Sequence, residues 1–278
     1  MFFLPYDDIN PTRRVPLFTY LLIALNVAAY VYLYWVLVPG ADVEAIDALK
    51  RQYDGCSLNQ VVSQVRRMSV PEVYQTLFFF EYGLVPRNIT AGNWQIDNFF
   101  TSMFLHGGLA HLAGNMLFLW ITGDNLEDRF GYVSFIALYL LCGLAAAITQ
   151  IVMNPAACIP MVGASGAIAG VMGAYMVLFP RSKIKVFYIL FPIIIPGVLL
   201  IDAIWWLGLW ILFQFVYEFA SQSPGGVAHW AHIGGFAAGF LIALLSRTSG
   251  FVRGGVDPEA RKRWEYGGRG RGQGRGRR

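Results

Sequence analysis

Six long apolar segments constrain the fold of this 278-residue chain more than any other feature. A helix needs about 17–25 apolar residues to cross a bilayer, and five of the segments reach that length. The fourth has 16 residues, roughly 24 Å of helix, so its first residue should lie below the membrane surface. We therefore predict an all-α fold, a membrane bundle of six transmembrane helices. The segments are Pro16–Val38, Met103–Thr122, Val133–Met153, Ser165–Pro180, Val198–Phe219 and Ala228–Ser246.

Charge placement predicts the orientation of this bundle. With both termini inside, 16 of the 21 Lys and Arg residues fall on the cytoplasmic side, as the positive-inside rule favours. The polar N-terminus does not resemble a cleavable signal peptide, and its acidic residues do not suit an organelle transit peptide. We predict a cytoplasmic segment (1–15), a membrane domain (16–246) and a cytoplasmic tail (247–278) in a multi-pass protein of the plasma membrane.

The segments outside the spans suggest peripheral roles. Residues 39–102 form a loop on the outer face, read as short interfacial helices, although a small soluble cap is equally compatible with 41–68. Residues 186–196 contain two prolines and are expected to form an interfacial or re-entrant piece. The Arg/Gly-rich tail should be disordered and contact anionic lipid rather than nucleic acid. Whether Cys56 and Cys158 pair, and the oligomeric state, stay open.

Ser165 opens the fourth segment between Gly163 and Gly166. A backbone N–H at a helix N-terminus lacks an intrahelical partner and can face a developing oxyanion. The glycines let the backbone turn tightly and approach a substrate. Small residues also serve plain helix packing in membranes, so the short motif alone is weak. Together with histidines in other spans, it suggests a nucleophile.

His232 lies about one turn into the sixth segment, which runs in the same direction as the fourth. The two side chains can therefore lie at comparable depth near the outer side. Glycines on both segments would permit the close approach that a Ser165–His232 hydrogen bond needs. The alternative is an interhelical hydrogen bond without chemistry. The glycines concerned are Gly166, Gly170, Gly173, Gly235 and Gly239.

His111 and Asn115 share one face of the second segment at i, i+4 spacing. Both can donate a hydrogen bond to an oxyanion, or they can simply bind two helices together. His106 should point away from that face, and His229 lies at the lip of the sixth segment, so both are expected to be structural. No glutamate stands beside the histidines as a zinc protease would require, so no metal or cofactor is expected.

At these residues the chain resembles the rhomboid family of intramembrane serine proteases. The resemblance spans Pro16 to Ser246 and rests on four motifs in family order. They are His111 to Asn115, Gly123 to Gly131, Gly163 to Gly166, and Ala231 to Gly235 followed by Gly239.

The resemblance implies a serine endopeptidase with Ser165 as nucleophile and His232 as general base and acid. His111, Asn115 and the Ser165 N–H would form the oxyanion hole, and the substrates would be transmembrane segments of other proteins. Gly123, Glu127, Arg129 and Gly131 would be structural. Some members carry a tyrosine one turn after the serine that stacks on the base, whereas this chain has Ala169. The alternative is a catalytically silent relative that binds or extracts membrane clients.

Overall fold

The computed structural model describes residues 2–40, 69–190, 195–220 and 227–252, of which residue 190 has no described side chain. A π-helical turn, Leu33–Leu37, continues the first helix, and a 3-10 turn, Ser102–Phe104, continues the fourth. In the described part the helices are α1 (Leu17–Tyr32), α2 (Val70–Tyr82), α3 (Pro86–Thr90), α4 (Asn98–Thr101), α5 (Leu109–Phe130), α6 (Tyr132–Met153), α7 (Ser165–Leu178), α8 (Ala203–Ala220) and α9 (His229–Thr248).

Four of these helices are long and apolar enough to cross a membrane. A fifth crossing results if Asn98–Phe104 and Leu109–Phe130, which meet at 95°, form one broken span. α7 is apolar but has only 14 residues. The fold is thus a helical membrane bundle, and its six predicted segments each contain a helix. The four long spans are Leu17–Leu37, Tyr132–Met153, Ala203–Ala220 and His229–Thr248.

α7 lies in the centre of the bundle. Twelve of its 14 residues are buried, and it packs against α5, α6, α8 and α9. Its contact with α9 is backbone to backbone: a Cβ added at Gly239 would lie 1.8 Å from the carbonyl oxygen of Gly170. A Cβ at Gly173 would lie 2.2 Å from the Phe236 oxygen. The predicted close approach through glycines is confirmed, and only glycine allows it.

A three-stranded antiparallel sheet lies where the sequence predicted no strand. Its order is β1 (Phe2–Asp8), β2 (Lys183–Leu190), β3 (Ile195–Asp202). Residues 186–190 and 195–196 of the piece predicted to be interfacial or re-entrant pair as strands, and its location relative to the membrane stays a prediction. The helix of the fifth predicted span, α8, accordingly begins at Ala203, five residues later than predicted.

The sheet is fixed to the end of the bundle at which α5 and α7 terminate. The Asp8 carboxylate accepts hydrogen bonds from Asn125 of α5 and from the Tyr175 hydroxyl of α7. On the sheet itself, Lys183 pairs with Asp202 at 2.7 Å and Lys185 pairs with Asp7 at 2.5 Å. The N-terminal segment and the segment after α7 therefore meet at one end of the bundle, and their cytoplasmic location stays a prediction.

Glu127 stabilises the junction between α1 and α5. Its buried carboxylate accepts the backbone N–H groups of Phe18 and Thr19, each at 2.8 Å, and the Thr19 hydroxyl at 2.7 Å. These are first-turn donors of α1, where a negative charge is favourable. Gly131, with φ +77°, then turns the chain from α5 into α6. Both residues thus have structural contacts of the kind that the resemblance implies.

Part of the predicted outer loop lies outside the described residues. Residues 41–68, including Cys56, belong there, as does the tail from residue 253. The described remainder contains the short helices α2, α3 and α4. α2 begins with a capping box in which Ser69 and Glu72 bond each other's backbone, and it buries Val73, Leu77 and Phe80. The predicted position of this loop at the outer membrane surface stays a prediction.

Candidate active site

Ser165 is the first residue of α7 and follows a tight turn. Gly163 has φ +123°, a conformation that side chains rarely adopt, and its N–H donates to the carbonyl oxygen of Ser102 at 2.8 Å. This turn places the Ser165 side chain at the start of the buried helix rather than on its outer surface. The tight turn expected from the glycines is confirmed at Gly163, whereas Gly166 is helical and contacts α9.

Ser165 and His232 lie within hydrogen-bonding distance. The Ser165 Oγ is 2.8 Å from the His232 Nε2. The imidazole projects from the first turn of α9 and is 8% exposed. The contact depends on the glycine interface, because a Cβ at Gly235 would lie 2.0 Å from the carbonyl oxygen of Gly166. Gly166, next to Ser165, and Gly235, one turn after His232, therefore fix the separation of the two side chains.

Two side chains of α8 contact the imidazole of His232 from the other side. The Nδ1 atom lies 2.8 Å from the Oε1 of Gln214, and the Trp210 ring centroid lies 5.5 Å from that of His232. Ala169, where some family members have a stacking tyrosine, is fully buried. Sequence reasoning missed Gln214, although an amide inside an otherwise apolar span is a recognisable signal.

His111 and Asn115 lie beside the turn that precedes Ser165. A Cβ added at Gly163 would be 2.7 Å from the His111 Nε2 and 3.5 Å from the Asn115 Nδ2. The predicted rotation of His106 away from the His111 and Asn115 face is wrong, and its structural role stays a prediction. Because α5 begins at Leu109, His106 lies before the helix, and its Nε2 is 2.9 Å from the Asn115 Nδ2. His106 therefore orients Asn115, and the rotation argued from helical spacing does not apply.

His229, which was expected to be structural, shares a contact with His232. Its Nδ1 is 2.8 Å from the same Gln214 Oε1 that contacts His232. Its ring stacks on Tyr217, with centroids 5.9 Å apart and planes at 16°. A single amide oxygen of α8 thus joins two histidines of α9.

The arrangement combines the groups that hydroxyl-based acyl transfer needs. A serine hydroxyl faces an imidazole nitrogen, and donors of α5 lie next to the turn before the serine. Within the described ranges, no three His, Cys, Asp or Glu side chains are grouped so that they could hold a metal ion. The groups that lie together here come from α5, α7, α8 and α9.

Fold and site together define a multi-pass helical membrane protein with a serine–histidine pair inside its bundle. The chain belongs to the rhomboid family: the model for the Rhomboid domain matches residues 93–249, more than half of the chain. That match includes every residue of the candidate site, from His106 to His232. The family resemblance read from the four motifs is confirmed.

Individual relatives share part of their length with this chain. It is 30% identical to Rhomboid protein 1, mitochondrial, of Saccharomyces cerevisiae over 178 residues, 60% of this chain and 45% of that protein. It is 40% identical to Rhomboid protease GluP of Bacillus subtilis over 88 residues, 32% of this chain and 16% of that protein. RHOMBOID-like protein 6, mitochondrial, of Arabidopsis thaliana is 29% identical over 66% of this chain and 53% of its own length. The chain thus spans about half or less of these relatives.

Proposed function

We propose that this protein is an intramembrane serine endopeptidase that cleaves transmembrane segments of other membrane proteins. The observation that carries the proposal is the 2.8 Å contact between the Ser165 Oγ and the His232 Nε2 inside a helix bundle. A serine hydroxyl is a weak nucleophile until a base accepts its proton at such a distance. The relative from Bacillus subtilis, named a rhomboid protease, supports the same activity.

In the proposed reaction, Ser165 attacks the carbonyl carbon of the scissile peptide while its proton passes to the His232 Nε2. The resulting oxyanion accepts hydrogen bonds from the Ser165 N–H and from His111 and Asn115. His232 then donates this proton to the leaving amine, and cleavage of the C–N bond leaves the acyl-enzyme. The same imidazole deprotonates a water that attacks the ester, and it returns the proton to the Ser165 oxygen as the acid product leaves.

Substrate entry requires an opening in the bundle and local unwinding of the substrate helix. Carbonyls within a helix are already hydrogen-bonded, so the scissile bond has to leave the helix before attack. We propose that α8 moves away from α5, where Phe118 and Trp210 now lie with ring centroids 6.3 Å apart. α8 has only three buried residues, which suits a mobile element. A cross-link between α5 and α8 that left cleavage of embedded substrates unchanged would exclude this route.

The proposed topology has both termini in the cytoplasm and membrane lipid as the surrounding solvent. The exposed apolar side chains of α1, α6 and α8 support contact with lipid. We propose the plasma membrane as the location. Since two relatives are named mitochondrial, fractionation of cells that express a tagged chain is the experiment that decides between the two membranes.

Cleavage of a single-span substrate in liposomes tests the proposed activity. Wild type is compared with Ser165→Ala and His232→Ala, and product is followed by gel and mass spectrometry. We expect cleavage by wild type and its loss in both variants. A wild type that binds several substrates and cuts none would instead identify a catalytically silent relative that binds or extracts clients.

A further inference from the structure

We propose that Gln214 of α8 is the positioning residue of the His232 base, a role that rests on the proposed protease function. Its Oε1 accepts the Nδ1 proton of His232 and so holds the imidazole in the tautomer and orientation that serve Ser165. His229 donates to the same oxygen and holds the amide in place. The general base would therefore be oriented by a neutral amide from a neighbouring helix.

The hydrogen-bond geometry fixes the tautomer. Both the His232 Nδ1 and the His229 Nδ1 lie 2.8 Å from the Gln214 Oε1, and a carbonyl oxygen can accept two hydrogen bonds. The Gln214 Nε2 faces the carbonyl oxygen of Trp210 at 3.4 Å, which orients the amide with its oxygen toward the histidines. With the proton on Nδ1, the Nε2 of His232 is free to accept the Ser165 proton.

The burial of Gln214 indicates that this contact is required. α8 buries three residues, Ala203, Leu207 and Gln214, at spacings of four and seven. They form one stripe along the helix, and Gln214 is its polar member. A buried amide is costly unless its groups are bonded, and in a membrane an isolated one is disfavoured further. The two imidazoles provide the partners that keep this amide inside the bundle.

Ala169 of α7 cannot orient the His232 imidazole, so this role falls to a side chain of α8. A methyl group one turn after Ser165 offers no hydrogen bond and too little surface to hold an imidazole. Among the described residues of α8, the one aromatic ring against His232 is that of Trp210, tilted at 40°, which restricts the imidazole without fixing its nitrogens. Without the Gln214 oxygen, the Nδ1–H of a buried imidazole would lack an acceptor, and the ring could rotate away from Ser165.

The assignment makes the base depend on the position of α8. Ser165 and His232 are held together by the glycine contacts of α7 and α9, whereas the acceptor for the Nδ1 proton comes from a helix with only three buried residues. A displacement of α8 would leave the two side chains near each other but release the imidazole. His232 should then accept the Ser165 proton again only after α8 has packed back against α9.

Substitutions of Gln214 test the role through the reactivity of Ser165 and through substrate turnover. Gln214→Met keeps the size of the side chain but removes the acceptor, and Gln214→Glu keeps an acceptor and adds a charge. Leu207→Ala is the matched control, since it removes packing from the same buried stripe without touching His232. Each protein is assayed by labelling with a fluorophosphonate, by kcat and KM, by the pH profile and by thermal unfolding.

For Gln214→Met we expect kcat and the labelling rate to fall about 10- to 100-fold with KM little changed, because a buried donor loses its acceptor. Gln214→Glu should recover most of the labelling rate and move the acid limb of the profile to higher pH, because a carboxylate favours the protonated ring. Leu207→Ala should lower thermal stability and leave the profile unchanged. Equal profiles and rates in Gln214→Met and wild type would overturn the proposal.

A spectroscopic measurement on the unaltered protein tests the proposal without any activity. In detergent-solubilised protein labelled with ¹⁵N-histidine, the ring nitrogen shifts of His232, assigned by comparison with His232→Ala, report its tautomer. We expect the proton on Nδ1, and a proton on Nε2 would overturn the assignment. An inactive wild type with the expected tautomer would refute the protease function and leave the hydrogen bond to Gln214 intact.

Discussion

Gly235→Ala tests whether the separation of Ser165 and His232 depends on backbone contact between α7 and α9. An added Cβ would lie 2.0 Å from the carbonyl oxygen of Gly166, the residue after Ser165. Carbon and oxygen in close contact lie about 3.3 Å apart, so the helices must separate by about 1.3 Å at this level. Since Gly235 is one turn from His232, most of that displacement should reach the imidazole.

The displacement is large enough to break the Ser165–His232 contact. If it acts along the line between the two atoms, it lengthens their 2.8 Å separation to about 4 Å, beyond hydrogen-bonding distance. Misplacement of a reacting group by about 1 Å can lower a rate about 100-fold. We therefore expect a loss of about 100-fold in kcat and in fluorophosphonate labelling. Overpacking should also lower the free energy of unfolding by about 1–3 kcal/mol.

The assay compares Gly235→Ala with Gly208→Ala in liposomes. A Cβ at Gly208, on α8, meets no atom within 4 Å, so this variant makes the same chemical change without a clash. It should keep the wild-type rate. A Gly235→Ala protein that inserts, folds and labels at the wild-type rate would refute the inference that these glycines set the distance between Ser165 and His232.

Three further predictions concern other parts of the structure. Asn115→Ala should lower kcat about 100- to 1,000-fold with little change in the melting temperature in detergent, as expected for the loss of an oxyanion donor; an unchanged kcat would exclude that role. Burial raises the pKa of Asp8 from 3.8 to about 7, so the folded protein keeps a proton that the unfolded chain releases near pH 4. Stability should therefore fall by up to about 4 kcal/mol as pH rises from 4 to 7, and Asp8→Asn should flatten this dependence of the melting temperature. Glu127→Gln should lower the free energy of unfolding by about 1–3 kcal/mol because the first turn of α1 loses a charged acceptor, and an unchanged melting temperature would contradict the capping role.

The helices could be predicted from sequence because lipid and core both select long apolar runs. α6 begins one residue from its predicted start, and α9 ends two residues beyond its predicted end. The sheet was missed because the run after Lys185 is apolar throughout and contains prolines, which were read as breaks. Pro5 and Pro196 lie in the outer strands β1 and β3, where a missing N–H leaves a ladder hydrogen bond unformed at less cost.

The candidate site could be predicted where the residue type indicates the chemistry and the spacing along a predicted helix indicates which side chains share a face. Ser165, His232, His111 and Asn115 were all identified this way, and their catalytic roles stay proposals. Gln214 could not be placed from sequence, because its contact with His232 depends on how α8 packs on α9.

The division of the site among helices suggests which property each helix controls. α7 and α9 touch through their backbones, so the distance between the Ser165 Oγ and the His232 Nε2 should be insensitive to side-chain motion. The donors of α5 adjoin the turn at Gly163, so they should be insensitive to motion of α8 as well. In the proposed mechanism, the orientation of the His232 imidazole depends on α8 through Gln214.

Substitutions at the α7–α9 glycines should therefore alter the Ser165–His232 distance and stability together, whereas substitutions at Gln214 should alter proton transfer while the fold remains. A helix that admits substrate and also orients the base would link entry to chemistry without any contact between substrate and His232.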